Sequence, residues 1–578
     1  MPHQSEQCAP LRINKIKINN YNDIKNINPS NPAVWLFILP YESSCKQTKI
    51  DKKFLNSLDA FISQADNETV ICFLCCAQTS AELLLNLEEK LHYKLWVTVK
   101  YEKPFLTRGN LSNNHCALLI LAKYRENLRH TKTRIGYTYC PACDKTTKDY
   151  GGKKHTYHEY GTLMSDIWRD ISTSPNSYPN SVIDRLKDVF GLSPYKELLV
   201  IDMKKLFEYK RSVSFRSTYD LTKTNKLNEN FHNVLLNGDC SEILKEIPSN
   251  SIDYCFADPP YNLKKKYDNW NDSLNIQDYF EWCDKWLYEL GRIVKPGRTV
   301  SVLNIPLWAA RHYRYMKKIL NFQNWIVWEG LSLPVRMIMP ANYAILCFSK
   351  GKPRALSFDN KHAVLALKEF YCVRQNCIRT RQNDKEPITD LWWDIHRLKH
   401  NTRRVDHPCQ LPPALMRRLI SIFTNEGEIV LDPFNGVGTT TLSAGEMNRK
   451  YLGIELSTYY YTIAQERHKE LSRGLDPFRK KSCTPKAKNS PVPRLKKQKY
   501  EVPKKVLQLE VKKIAQMIGK LPTREEVEKY SKYPINFYDE YFISWGEVCA
   551  AARTTGMTET RNKREKDHEI QYQLELFR

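Results

Sequence analysis

Glycine is scarce, 20 residues in a chain of 578, which excludes a collagen-like repeat and long glycine-rich tethers. Long apolar runs are missing too. None approaches the roughly 18 residues that a membrane span needs. The longest, Ala33 to Leu39 and Val70 to Ala77, have the length of buried strands. The start, Met1-Pro2-His3-Gln4, lacks the charged-then-apolar pattern of a secretory signal. The 17 cysteines are scattered rather than clustered, so reduced thiols, a cytoplasmic location and no membrane partner are expected. Acid is in short supply: Asp plus Glu is 64 against 89 Lys plus Arg, a net charge of +25. What is present is a 42% hydrophobic fraction, enough to rule out wholesale disorder. The length suggests roughly four units, and the charge points to a polyanion partner.

The basic excess is uneven. Arg479 to Lys505 holds eleven Lys or Arg against one acid, Glu501, and is broken by Pro485, Pro491, Pro493 and Pro503. It reads as an extended basic linker, either a solvated tether or a phosphate-contacting arm. A second cluster runs from His396 to Arg404, beside Trp392 and Trp393. Flat rings interleaved with positive charge suit a nucleic-acid surface.

Two segments carry chemistry. Ile252 to Ala257 is a strand pattern that ends at Asp258-Pro259-Pro260-Tyr261-Asn262. A carboxylate past the C-terminal end of an apolar strand is where open α/β sheets place their reactive groups. The second segment, Ile429 to Asp432 followed by Pro433-Phe434-Asn435-Gly436-Val437-Gly438-Thr439-Thr440-Thr441, reads as strand, tight glycine loop and helix start. The strand Tyr451 to Glu455 then ends in an acid about 20 residues on. Glycine lets a ligand approach the backbone, and the acid can hold ribose hydroxyls, so an adenosine-type cofactor is expected. No Gly-Lys-Ser/Thr follows, so this is not a Walker A loop.

These residues resemble the amino-methyltransferases that modify exocyclic amines of DNA bases with S-adenosylmethionine. Asp258-Pro-Pro-Tyr261 precedes Phe434-x-Gly436-x-Gly438, the order of the permuted β class. His407-Pro408-Cys409-Gln410-Leu411-Pro412 is similar to the family's HPTQKP segment, with Leu411 where the family has Lys. Gly238-Asp239 matches the family's acid before the catalytic motif. The resemblance covers about Asn233 to Lys469. It implies that Asp258, Pro259, Pro260 and Tyr261 are catalytic. It places Asp239, Asp258, Asp432, Phe434, Gly436, Gly438, Thr439, Thr440, Glu455, His407 and Gln410 around the cofactor. Asp at position 258 is the usual mark of N6-adenine enzymes in this family, where N4-cytosine enzymes usually carry Ser.

The N-terminal half contains a second, degenerate pattern. Trp35 to Tyr41 resembles the strand into Pro260-Tyr261. Trp96, Asn114, Ser165 and Leu199 open segments similar to those opening at Trp325, Asn342, Thr389 and Ile429. The offsets are 220, 229, 228, 224 and 230, the mark of an internal repeat. Leu39 stands in the place of Asp258, and Asp202 is followed by Met203-Lys204-Lys205 with no glycine loop. This half also carries Cys140-Pro-Ala-Cys143 and, eleven residues on, His155-Thr-Tyr-His158. These are four soft ligands in two close pairs, suited to zinc.

After the linker, Pro522-Thr523-Arg524-Glu525-Glu526 and Ser544-Trp545-Gly546-Glu547-Val548 resemble the short helical repeats associated with homing endonucleases, which implies DNA binding. A helix from Val506 to Met517, a Thr523-capped helix and a helix from Ser544 stopped by Gly556 are expected. The expected fold is α/β, a doubly wound Rossmann-like methyltransferase fold, duplicated, with a small C-terminal helical domain. The division is a degenerate copy with a zinc site (1–220), a catalytic domain (221–475), a basic linker (476–505), a helical module (506–560) and a charged tail (561–578). The expected function is site-specific N6-adenine methylation of double-stranded DNA by base flipping, alongside a cognate restriction endonuclease. The expected assembly is a monomer acting as a pseudo-dimer, or a homodimer. N4-cytosine methylation and a non-catalytic DNA-binding protein with a relic pocket are the alternatives.

Overall fold

The computed structural model describes the chain except residues 1–12, 19–32, 42–49, 106–109, 127, 138, 141–144, 147–160, 193–197, 208–217, 265–271, 331–337, 357–364, 368–384, 396, 399–409, 479–499, 554–557 and 560–578. In the N-terminal half the elements are β1 (Ile13–Lys17), β2 (Val34–Ile38), α1 (Lys52–Ile62), β3 (Val70–Cys75), α2 (Ala77–Leu87), β4 (His92–Phe105), β5 (Asn113–Ala122), β6 (Ile167–Thr173), α3 (Asn180–Phe190) and β7 (Leu198–Asp202). The strands form one sheet in the order β1-β7-β2-β3-β5-β4-β6. Neighbours are parallel except β5, which is antiparallel to β3 and to β4.

The second half runs β8 (Val234–Asn237), α4 (Cys240–Glu246), β9 (Ile252–Ala257), α5 (Ile276–Ile293), β10 (Val294–Asn304), α6 (Pro306–Ile319), β11 (Asn321–Glu329), β12 (Asn342–Ser349), β13 (Leu391–Trp392), α7 (Pro413–Phe423), β14 (Ile429–Asp432), α8 (Thr439–Glu446), β15 (Lys450–Glu455) and α9 (Thr458–Ser472). Its sheet order is β8-β15-β14-β9-β10-β12-β11-β13. Only β12 is antiparallel to its neighbours, β10 and β11. Strands covered on both faces read as unbroken apolar runs, and β2 and β9 are buried along their whole length. The one charge inside β9, Asp253, pairs with Lys295 at 2.9 Å and accepts the Ile429 N–H at 3.0 Å. Burial of a carboxylate is tolerable on those terms.

The two halves share a core. One apolar cluster contains Trp35, Phe37, Leu84 and Trp96 from the first sheet's side, and Ala310, Tyr313 and Trp325 from the second's. The C-terminal helices α10 (Lys504–Ile518), α11 (Arg524–Tyr530) and α12 (Ile535–Tyr541) close a separate small core around Leu507, Val511, Val527, Tyr538 and Val548. Thr523 and Glu526 form a full capping box on α11. The segment from Ser544 is not one helix: it forms two short turns, Trp545–Val548 and Ala550–Arg553, with Cys549 between them. Gly556 lies outside the described residues. Among those residues no helix is long and apolar enough to cross a membrane.

Trp392 is not a ring presented to nucleic acid, and Trp393 is half-buried. Trp392 is 1% exposed, donates its indole N–H to the Thr389 carbonyl, and is covered by Arg418. Trp393 is covered by Arg169 from the N-terminal half. Arg418 packs within the second half, paired with Asp394, while Arg169 crosses from the first half and pairs with Glu329. Most of the surrounding cluster, residues 399–404, lies outside the described residues.

Candidate active site

Strands β14 and β9 are neighbours at the centre of the second sheet, and the connections leave in opposite directions from them. That is a topological switch point, where the carboxyl ends of strands open a crevice. Asp432 ends β14 and Asp258 follows β9, so the two acids flank the same opening. The cleft there encloses about 1050 Å³ of space, part of it open solvent.

The glycine loop is built for close approach. Gly436 has φ 51° and Gly438 φ 85°, conformations that other residues adopt at a cost. Gly438 begins α8 with no side-chain cap, and Thr439 and Thr440 of its first turn line the cleft. A Cβ on Gly438 would lie 3.2 Å from Ala464 Cβ, and one on Gly453 would lie 2.7 Å from the Asn435 side chain. Glu455 accepts N–H groups from Gly436 at 2.6 Å and Ser457 at 2.9 Å, one on each oxygen. The Leu456 N–H also reaches this carboxylate, and its two oxygens together keep acceptor capacity for a hydroxyl. Burial raises its pKa. Asp432 accepts the Phe434 N–H at 2.9 Å, and burial, reinforced by Asp258 and Glu455, pushes its carboxyl up to about 7.

The catalytic turn is held from behind. Tyr279 donates to the Pro260 carbonyl at 2.7 Å and Trp308 to the Tyr261 carbonyl at 2.9 Å. Asn262, at φ 55°, and the next N–H both donate to Asp272. No hydrogen bond reaches the Pro259 carbonyl among the described residues. The Tyr261 hydroxyl donates to Asp258 at 2.8 Å, which fixes the carboxylate rather than leaving the ring a free platform.

Asp239, Asp258, Pro259, Pro260, Tyr261, Gln410, Asp432, Phe434, Gly436, Thr439, Thr440 and Glu455 line this one cleft. Gly438 sits behind it against Ala464. His407 lies outside the described residues, as do Cys143, His155 and His158. Cys140 is buried, on a two-residue strand paired to Lys145–Thr146. Among the described residues no group of three or more His, Cys, Asp or Glu could hold a metal. Leu411, which stands where the family has Lys, lines the cleft too, and so do Trp282, Leu456, Ser457 and Tyr460, to which the sequence pattern assigns no role. The cleft suits an adenosine-bearing cation, because Asp239, Asp258, Asp432 and Glu455 all line it.

Residues 252–466 match the N6_N4_Mtase family, described as DNA methylase. The Type II methyltransferase M.HpaI of Haemophilus parainfluenzae is 33% identical over 248 residues, 42% of this chain and 76% of that protein. The chain belongs to the DNA methylase family. The Type II methyltransferase M.BamHI of Bacillus amyloliquefaciens is 33% identical over 282 residues, 47% of this chain. That match spans 64% of M.BamHI. Among solved structures, the cytosine-N4-specific PvuII DNA methyltransferase aligns at 18% identity with a TM-score of 0.32, over 44% of this chain and 89% of that one. Within this chain the signal for Trp282 is faint: the ring lies 5.7 Å from Phe434, 152 residues away in sequence, and only the folded sheet brings them together.

Proposed function

We propose that the chain transfers the methyl group of S-adenosylmethionine to the exocyclic N6 of adenine in duplex DNA, as the modification partner of a separate restriction endonuclease. The observation that carries this reading is the meeting of Asp258-Pro-Pro-Tyr261 and the Gly436 loop in one cleft at the switch point. S-adenosylmethionine supplies an electrophilic methyl when bound. Glu455, Asp239 and Phe434 hold its adenosine part, and the Gly436 to Thr440 turn takes the methionine end.

An exocyclic amine is a poor nucleophile because its lone pair is delocalised into the ring. Asp258 accepts one N–H and the Pro259 carbonyl the other. Both bonds favour the pyramidal nitrogen of the transition state over the flat ground state. The base leaves the helix to reach them. Tyr261 keeps Asp258 aimed through its hydroxyl and closes one wall. Asp at position 258 favours adenine over cytosine.

The test is incubation with labelled S-adenosylmethionine and mixed-sequence DNA, followed by digestion and identification of the modified base. Labelled N6-methyladenine is the expected product. Labelled N4-methylcytosine overturns the adenine assignment, and no label overturns the enzyme. Asp258→Ala is expected to lower turnover by about 100-fold or more, a far larger change than in cofactor affinity.

A further inference from the structure

Six strands of the first sheet repeat six of the second in order. The order β7-β2-β3-β5-β4-β6 in the first matches β14-β9-β10-β12-β11-β13 in the second, including the single antiparallel strand in each. The contacts between the halves are reciprocal as well. Trp96 stacks on Trp325, its counterpart at offset 229, with centroids 5.2 Å apart and planes 6° apart. Helix α2, after β3, lies against α6, after β10, and Glu82 and Glu88 pair with Lys317 and Arg311. Asp166 accepts the Ala341 N–H at 2.8 Å and its own N–H donates to Met339 at 3.1 Å. Asp390, its counterpart at offset 224, accepts the Asn114 N–H at 2.7 Å and donates to Ser112 at 3.0 Å. Each half therefore offers the other the same patch, the pattern of a two-fold interface.

The first copy cannot do the second's chemistry. By strand register Ile38 lies beside Asp202. In the second sheet Cys255 pairs with Leu431, which puts Phe256 beside Asp432. The place of Asp258 then falls on Pro40, one residue from Leu39, and neither is an acid. After Asp202 the chain makes a single turn, Lys204–Leu206, with Met203 fully buried and bonded to Ile38. Buried Tyr41 is tied by its hydroxyl to Ser174 at 2.7 Å. This copy also seats the C-terminal module: Leu509 packs on Gly136, and Thr558–Glu559 pairs with Lys132–Thr133.

We propose that residues 1–220 are a second copy of the catalytic fold, stripped of acid and cofactor loop and retained as a built-in partner subunit. The surface through which this fold pairs with itself is thereby used up within one chain, and each particle carries one methyl-transfer centre. The inference rests on the cofactor reading only for its ligand count. Two measurements on the full-length chain test it. Titration calorimetry with S-adenosylmethionine is expected to give one site per chain, and two sites overturn the proposal. A folded chain that binds none overturns the cofactor reading instead, and the second measurement then decides. Sedimentation from micromolar to tens of micromolar protein is expected to give the mass of a single chain, 67.9 kDa. A stable two-chain particle overturns the proposal.

Discussion

Asp432, Asp258 and Glu455 crowd one opening, and the protein does little to neutralise them. Burial is the main reason that Asp432 titrates near 7, and its two acidic neighbours add to it. A cation placed between them favours the ionised form, so binding and deprotonation are linked. The sign follows. Below about pH 7 part of the binding energy is spent releasing a proton, and above it none is. Affinity for S-adenosylmethionine should therefore rise by roughly threefold to tenfold between about pH 6 and pH 8. S-adenosylhomocysteine, which lacks the sulfonium charge, should show a flatter profile, and Asp432→Asn should flatten both. Calorimetry across that range checks this, and equal slopes for the two ligands contradict it.

At the scale of elements, the glycine loop makes a prediction with its own control. Gly438→Ala adds a Cβ 3.2 Å from Ala464 on α9 and forces a side chain into φ 85°. Gly427→Ala meets the same backbone demand at φ 78° with nothing within 4 Å. Both should lose about 1–2 kcal/mol in unfolding experiments, but only Gly438→Ala should also weaken cofactor binding. The strands that frame this loop were legible in the sequence. Parallel strands covered on both faces leave uninterrupted apolar runs, so Ile252 to Ala257 and Ile429 to Asp432 could be read to the residue. Trp282 could not be read. It lies on α5 next to Cys283, Trp286, Leu287 and Leu290, whose spacing marks an ordinary core face, and nothing local separates a ring that lines a cleft from one that fills a core. The break at Cys549 was illegible for a related reason: helical spacing continues through it, and packing decided the turn.

The whole molecule depends on the seam between its halves, which the repeat in the sequence foreshadowed but whose contents it misplaced. Trp392 and Trp393 read locally as a nucleic-acid surface because flat rings beside basic residues serve either purpose, and which face is covered is settled only when the halves meet. The seam also carries a titration. Burial pushes Asp166 up to about 7 and Asp390 up to about 6, against an ordinary value of 3.8. A carboxyl whose folded pKa is raised binds its proton more tightly in the native state. Its contribution to stability is complete below 3.8 and disappears as pH rises through the folded value. His312 and His468, pushed by burial down to about 3 and about 4, and Lys94 and Lys350, pushed by burial down to about 8, work in the opposite sense: each holds its proton more tightly in the unfolded chain, so each adds stability as pH rises. Between about pH 6.5 and pH 8 the two sets oppose one another in the net, so the seam is read from the effect of one substitution. Over that interval the deprotonation of Asp166 alone should cost the cofactor-free chain about 0.8 kcal/mol. Asp166→Asn keeps an oxygen to accept the Ala341 N–H but has no proton to lose, so on going from about pH 6.5 to pH 8 it should gain about 0.8 kcal/mol relative to the parent chain. Denaturant unfolding of both proteins at the two pH values measures this difference, and the same slope in both would show that the seam does not titrate.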